Sequence, residues 1–375
     1  MLPMFRYCRK TLFSLNHNRN LNPTPFYFLQ PSLSFISSSE QHSFTLNYLI
    51  NICGFSPETA SKLSNRIRLV NSERPDSVLA LFRTHGFSDA EIRRVIDGYP
   101  RILTSRSNKT ILPKLNFLLS KGASSSDLVH IVTKNPRFLY FGLQNSLTPR
   151  YYFIKSFLHS DHSTLLSIKS CPGIIYSKNP SHNVQVLLEN GVPESKVAIS
   201  LRYWPSSLVV FPPIFKNAVE EAKEMEFSPN NTVFIVALRA KLMRKSLWQR
   251  KVDLYKKWGW SEEDVISAFV RYPWCMLASE AKIEAMMEYF VNHLGWKSHM
   301  LAQQPVLIMM SVEKRLIPRA FVLQFLQSKG LIKDVNLAGA FKVAEKTFLK
   351  KYVNCFEKEA SQLLKLYEER RDPSR

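Results

Sequence analysis

The stretch 108–139, NKTILPKLNFLLSKGASSSDLVHIVTKNPRFL, holds two short apolar-periodic segments, a glycine between them and a proline near its end. Ile111, Leu112, Leu115, Leu118 and Leu119 fall at i, i+1, i+4, i+7 and i+8, the spacing of one helix face. Gly122 follows and suits the left-handed residue that closes a helix. Ser124 can cap a second helix whose apolar face is Leu128, Ile131 and Val132. Pro136 stops that helix, because the residue before a proline is pushed out of the helical region. The short apolar tail Phe138-Leu139 predicts a third, single-turn element.

The same pattern recurs along the chain. Pro100, Pro136, Pro172, Pro205, Pro273 and Pro305 carry similar neighbours, at spacings of 36, 36, 33, 68 and 32 residues. The 68 is two units of 34, so one unit near Arg239 lacks its proline. Gly86, Gly122, Gly191 and Gly259 each precede an anchor proline by fourteen residues. Gly54 points in the same way to Arg68, a second proline-less anchor, and Gly295 precedes Pro305 by only ten. No glycine marks the unit near His159. Serine two residues after the glycine recurs as Ser56, Ser88, Ser124 and Ser261, and Glu91 completes a capping box with Ser88. A unit of this size cannot bury its own apolar face, so neighbours must stack. The expected fold is all-α: a right- or left-handed superhelical solenoid of eight to nine ~34-residue repeats. Residues 40–345 are assigned to it, and 346–375 to a C-terminal cap ending in a long charged helix over Leu337–Glu369.

Residues 1–39 contain Arg6, Arg9, Lys10 and Arg19 and no acid, the composition of an organellar transit peptide. Arg alternating with apolar residues favours the mitochondrion, with the chloroplast as the alternative. The whole chain carries +21, and removing four cations leaves +17 on the body. Charge of that size points to a polyanionic partner. The longest apolar runs, Ser207–Phe215 and Thr232–Leu238, are too short to span a bilayer, so no membrane role is expected.

The repeat resembles that of the mitochondrial transcription termination factor (mTERF) family. Gly86-Phe87 with Tyr99-Pro100-Arg101-Ile102-Leu103, Leu118-Leu119 and Gly122 with Asn135-Pro136-Arg137-Phe138-Leu139, and Gly259-Trp260-Ser261-Glu262-Glu263 with Tyr272-Pro273 carry the likeness, which covers roughly 44–345 and is most similar to the plant branch. The resemblance implies a superhelix that binds organellar nucleic acid. Double-stranded DNA binding in transcription termination or regulation is the first expectation. RNA binding in intron splicing or ribosomal RNA maturation is the alternative. A protein-interaction scaffold is the reading from another class.

Phosphates are gripped by Lys and Arg. The densest run, 239–257, carries Arg239, Lys241, Arg244, Lys245, Arg250, Lys251, Lys256 and Lys257 against Asp253 alone, and falls where the proline is missing. A solvated helix face is the alternative. Arg101 and Arg137 follow anchor prolines in successive units. Lys314 and Arg315, with Arg319, form another cluster, and Lys342, Lys346 and Lys350 would share one helical stripe. The aromatics beside the anchors and after the glycines, such as Tyr99, Trp204, Phe87 and Trp260, are assigned to core packing because they keep repeat register.

The five cysteines are scattered without C-x-x-C, and His159-x-x-His162 with Asp161 reads as a polar turn, so no metal or cofactor is expected. No phosphate-binding loop, nucleophile elbow or H-E-x-x-H pair occurs, and no enzymatic activity is expected. The protein is expected to act as a monomer.

Overall fold

The computed structural model describes residues 38–333 and 335–371. The expected transit peptide, 1–39, lies outside them except for its last two residues, which open the helix Ser38–Asn51. Every element among the described residues is helical. None is long and apolar enough to cross a membrane.

Backbone conformation marks the units directly. Gly54, Gly86, Gly122, Gly191, Gly259, Gly295 and Gly330 all have positive φ, and so do His159 (53°) and Glu226 (63°). These nine positions stand 32 to 37 residues apart. The left-handed turn therefore persists in the two units whose glycine is missing, with a histidine and a glutamate in its place. After each turn a second helix begins, capped as its serine predicts. Ser88 with Glu91, Ser124 with Asp127 and Ser261 with Asp264 form reciprocal capping boxes. Ser56 and Ser160 cap through their side chains alone.

The second helices, such as Asp89–Gly98, Ser125–Lys134 and Glu262–Arg271, end one or two residues before the anchor proline. The expected single-turn element follows as Pro100–Thr104, Pro136–Tyr140, Gly173–Tyr176, Pro205–Leu208, Pro273–Met276 and Pro305–Met309. In the proline-less unit near Arg239 no such turn forms. The helix Thr232–Lys241 runs on to its cap at Leu242, and the next starts at Lys245. The ten-residue Gly295–Pro305 offset is a second helix shortened to His299–Gln303. Three first helices open on a π turn, Ser107–Ile111, Leu143–Leu147 and Val312–Leu316, immediately before a helix whose second residue is Pro113, Pro149 or Pro318. Proline has no N–H to give the regular ladder, which shifts there by one residue.

Second helices lie side by side in chain order from Asp89–Gly98 through Ser125–Lys134, Asp161–Ser170 and Glu194–Tyr203 to Thr232–Lys241. That last helix meets the closing turn Pro273–Met276 of the following unit. One continuous apolar core runs between the two helical layers from Tyr48 to Tyr367. Gly98 permits the close stacking of two units, because a Cβ there would stand 2.9 Å from the Pro136 ring.

The C-terminal region departs from the expected long helix. It breaks into Leu337–Lys342, Glu345–Leu349 with a π turn Lys350–Asn354, and Ala360–Arg371. The cause is Arg315 and Arg319. Their guanidinium groups take the carbonyl oxygens of Ala340, Phe341, Lys342 and Val343, which a continuing helix would need for its own ladder.

Candidate nucleic-acid interface

The basic residues divide by where their charge is used. One group serves the fold. Lys114 Nζ donates to Leu139 O, Arg150 Nη1 to Tyr176 O, Lys251 Nζ to Met276 O at 2.7 Å and Lys282 Nζ to Met310 O. In each case a cation on the first helix reaches the last carbonyls of the segment that closes its unit, some 25 to 28 residues on. Those carbonyls have no partner inside so short a turn, and a cation at a helix C-terminus also meets the negative end of its dipole. Asn183 does the same for Leu208 O at 2.9 Å and Val210 O at 2.8 Å. Burial brings the Lys114 ammonium down to about 8 and lowers that of Lys251.

These contacts correct several of the expected phosphate ligands. Lys251 is buried and its ammonium is taken, so it presents nothing to a phosphate. Arg315 gives its guanidinium to three carbonyls, and Arg319 is 1% exposed over the Phe348 ring. Of that cluster Lys314 alone projects to solvent. The stripe through Lys342, Lys346 and Lys350 is broken, because the helix ends at Lys342 and another starts at Glu345. Lys342 Nζ donates to Gln304 Oε1 at 2.8 Å, and Lys346 is exposed.

The dense run 239–257 does not form one patch either. Arg250 pairs with Glu280 at 3.1 Å, Lys256 with Glu262 at 2.9 Å and Lys257 with Glu284 at 2.8 Å, all acids of the next unit. Lys241 pairs with Glu221 at 3.1 Å and lies over the Trp248 ring. Arg239, Arg244 and Lys245 form no ion pair among the described residues, and the last two are exposed.

A different set of cations keeps repeat register. Lys134, Lys169, Arg202, Arg239 and Arg271 each sit in the last turn of a second helix, in five consecutive units. Their spacings are 35, 33, 37 and 32 residues. Equal register on helices packed side by side makes a row with one positive charge per unit, at the ~8–10 Å separation of packed helices. Arg101 and Arg137, both exposed on closing turns, extend this edge toward the N-terminus, where Arg66 occupies the matching place. Lys169 is partly neutralised by Asp127, whereas Arg202, Arg239 and Arg271 meet no acid among the described residues. Only Arg239 of this row follows from charge density along the chain. The signal that finds the others is position: each stands two or three residues before an anchor proline, or where that proline is missing.

Most repeat-locked aromatics belong to the core. Tyr255 stacks on Trp260 at 4.4 Å, Phe82 lies 4.9 Å from Phe87, and Tyr272 stacks on Trp274 at 4.9 Å. The His159–His162 segment is a polar turn, in which Asp161 accepts from Tyr151 Oη and Lys155 Nζ, both at 2.7 Å.

Comparison with known proteins agrees with this architecture. The mTERF family model matches residues 79–237 and 176–349. Transcription termination factor MTERF15, mitochondrial, of Arabidopsis thaliana is 21% identical over 285 residues, which are 76% of this chain and 56% of that protein. The chain thus matches little more than half the length of that relative.

Proposed function

This chain belongs to the mTERF family, and from that premise we propose that it is a nucleic-acid-binding regulator of organellar gene expression. The row Lys134, Lys169, Arg202, Arg239 and Arg271 is the observation that supports it most. A regular line of positive charge fits a regular line of phosphates, and a net +21 supplies the long-range attraction. Double-stranded DNA is the proposed ligand, and control of transcription termination the proposed role. The Arabidopsis relative carries that role and the mitochondrion in its name, which supports both for this chain. In this reading residues 1–39 are the address, 40–345 hold the nucleic acid as a monomer, and 346–375 close the end of the stack. RNA is the second ligand, favoured by two exposed tyrosines on the same edge.

Titrating the full chain with matched duplex DNA, single-stranded RNA and double-stranded RNA over a salt series tests this. The expected result is a steep linear fall of log affinity with log salt, strongest for duplex DNA. Absent or salt-independent binding to all three would refute the proposal and leave a protein-interaction role.

A further inference from the structure

Two tyrosines on the cationic edge stand outside the apolar core. Tyr140 is 65% exposed and Tyr203 is 62% exposed. Tyr140 ends the closing turn that carries Arg137, and Tyr203 follows Arg202 at the end of its second helix. Each ring is backed by others. Tyr99 and Phe141 meet Tyr140 edge-on at 6.0 and 5.4 Å, and Phe141 in turn stacks on Tyr176 at 5.1 Å. Trp204 holds Tyr203 at 6.3 Å. A ring held on one side by rings and left open on another is a stiff platform, and its ordering is already complete in the free protein.

Resting on the nucleic-acid reading above, we infer that Tyr140 and Tyr203 stack on unpaired bases while Arg137 and Arg202 hold the flanking phosphates. A matched duplex turns its base faces inward onto one another, so it can use the cations but not the rings. The ligand chemistry is a single strand, of DNA or RNA, and the interface prefers unpaired stretches over what its charge alone would give.

The test uses the full chain and three probes of one sequence: single-stranded RNA, single-stranded DNA and the matched DNA duplex. The single strands carry 2-aminopurine. The double variant Tyr140→Ala/Tyr203→Ala should bind a single strand about tenfold or more weakly. Its duplex affinity should change less than about twofold, and the quenching of 2-aminopurine on binding should vanish. Tyr140→Phe/Tyr203→Phe keeps both rings, so it should keep single-strand affinity and quenching. A melting curve matching wild type separates lost stacking from lost fold. Which single strand loses more identifies the source. Unchanged single-strand affinity in the alanine variant, or an equal loss for strand and duplex, overturns the inference while salt-dependent duplex binding leaves the nucleic-acid reading standing. A wild-type chain that binds none of the probes removes both.

Discussion

Lys251 Nζ donates to the carbonyl oxygen of Met276 at 2.7 Å from a side chain that is only 4% exposed. The residue lies in the most basic run of the chain, yet its charge works inside its own unit. The Met276 carbonyl ends a one-turn helix and has no other donor to turn to. Lys114, Arg150 and Lys282 hold the same relationship in other units. A basic repeat protein thus uses some of its cations to close its repeats, and net charge overstates what remains for a ligand.

Lys251→Met keeps most of the apolar stem and removes the donor. Desolvation of the ammonium is relieved, but a buried carbonyl is orphaned. The second effect wins, because the unmet group costs about 1–3 kcal/mol and the ammonium already had a good partner. Chemical denaturation should show a loss of about 1–2 kcal/mol. The salt slope of duplex binding should not move. A changed slope would return Lys251 to the interface.

Gly98→Ala tests the stacking of adjacent units. Alanine would gain up to about 1 kcal/mol in helix propensity. Its Cβ, however, would stand 2.9 Å from Pro136 Cγ and 3.3 Å from Cδ. A pyrrolidine ring cannot rotate away, so the neighbouring unit must shift, at about 1–3 kcal/mol. The variant should unfold at lower denaturant. Unchanged or raised stability would show that the contact between these units is slack.

The markers of the repeat were legible because they act locally. Glycine frees φ, proline removes a donor and blocks the preceding residue, and serine caps the second helix; each effect spans a few residues. The left-handed turn at Glu226 was invisible because stacking imposed it on a residue that disfavours it. The role of Lys251 was hidden for another reason: its acceptor lies 25 residues away, and a lysine looks the same whether it faces water or a carbonyl. The cation row lay in view, since Lys134 and Arg271 each stand two residues before an anchor proline, but counting charge along the chain rather than at a fixed offset passes over it.

Glu226→Gly should stabilise the unit that lacks both markers. A non-glycine residue at φ 63° carries about 1–2 kcal/mol of strain. Glycine relieves it and gives back about 0.4–1 kcal/mol through the looser unfolded chain. The net expectation is a gain of about 0.5–1 kcal/mol. Gly259→Ala, at φ 89°, should do the reverse. Parallel urea titrations of the two variants check the pair, and a loss on Glu226→Gly would mean that the side chain has a role of its own.

Asp127 provides a pH signature. The hydrogen bond from Lys169, then those from Ser124 Oγ at 2.8 Å and Ser124 N at 3.1 Å, hold its carboxyl down at about 2 against an ordinary 3.8. Between those values the unfolded chain binds the proton and the folded one does not. The stabilisation is therefore complete above about pH 4 and is lost as pH falls toward about 2. The stability gap between wild type and Asp127→Ala should be flat above that window and close within it. A gap that stays constant down to pH 2 would mean that the carboxylate charge is not what Asp127 contributes.

The row itself is best tested through salt dependence rather than affinity alone. Arg202, Arg239 and Arg271 close three helices in succession and meet no acid among the described residues, whereas Lys256 and Lys257 are paired with Glu262 and Glu284. Replacing all three arginines with glutamine keeps much of their apolar stems and removes three charges. If each contacts one phosphate, the log–log slope for duplex DNA should shrink by about 0.9 per residue, or about 2.7 together. The control Lys256→Gln/Lys257→Gln removes two charges that neighbouring carboxylates already neutralise, so it should change the slope by less than one contact. A drop in slope that merely follows net charge, the same per cation in both sets, would mean that the protein attracts nucleic acid as a diffuse positive body and that the regular row carries no contact of its own.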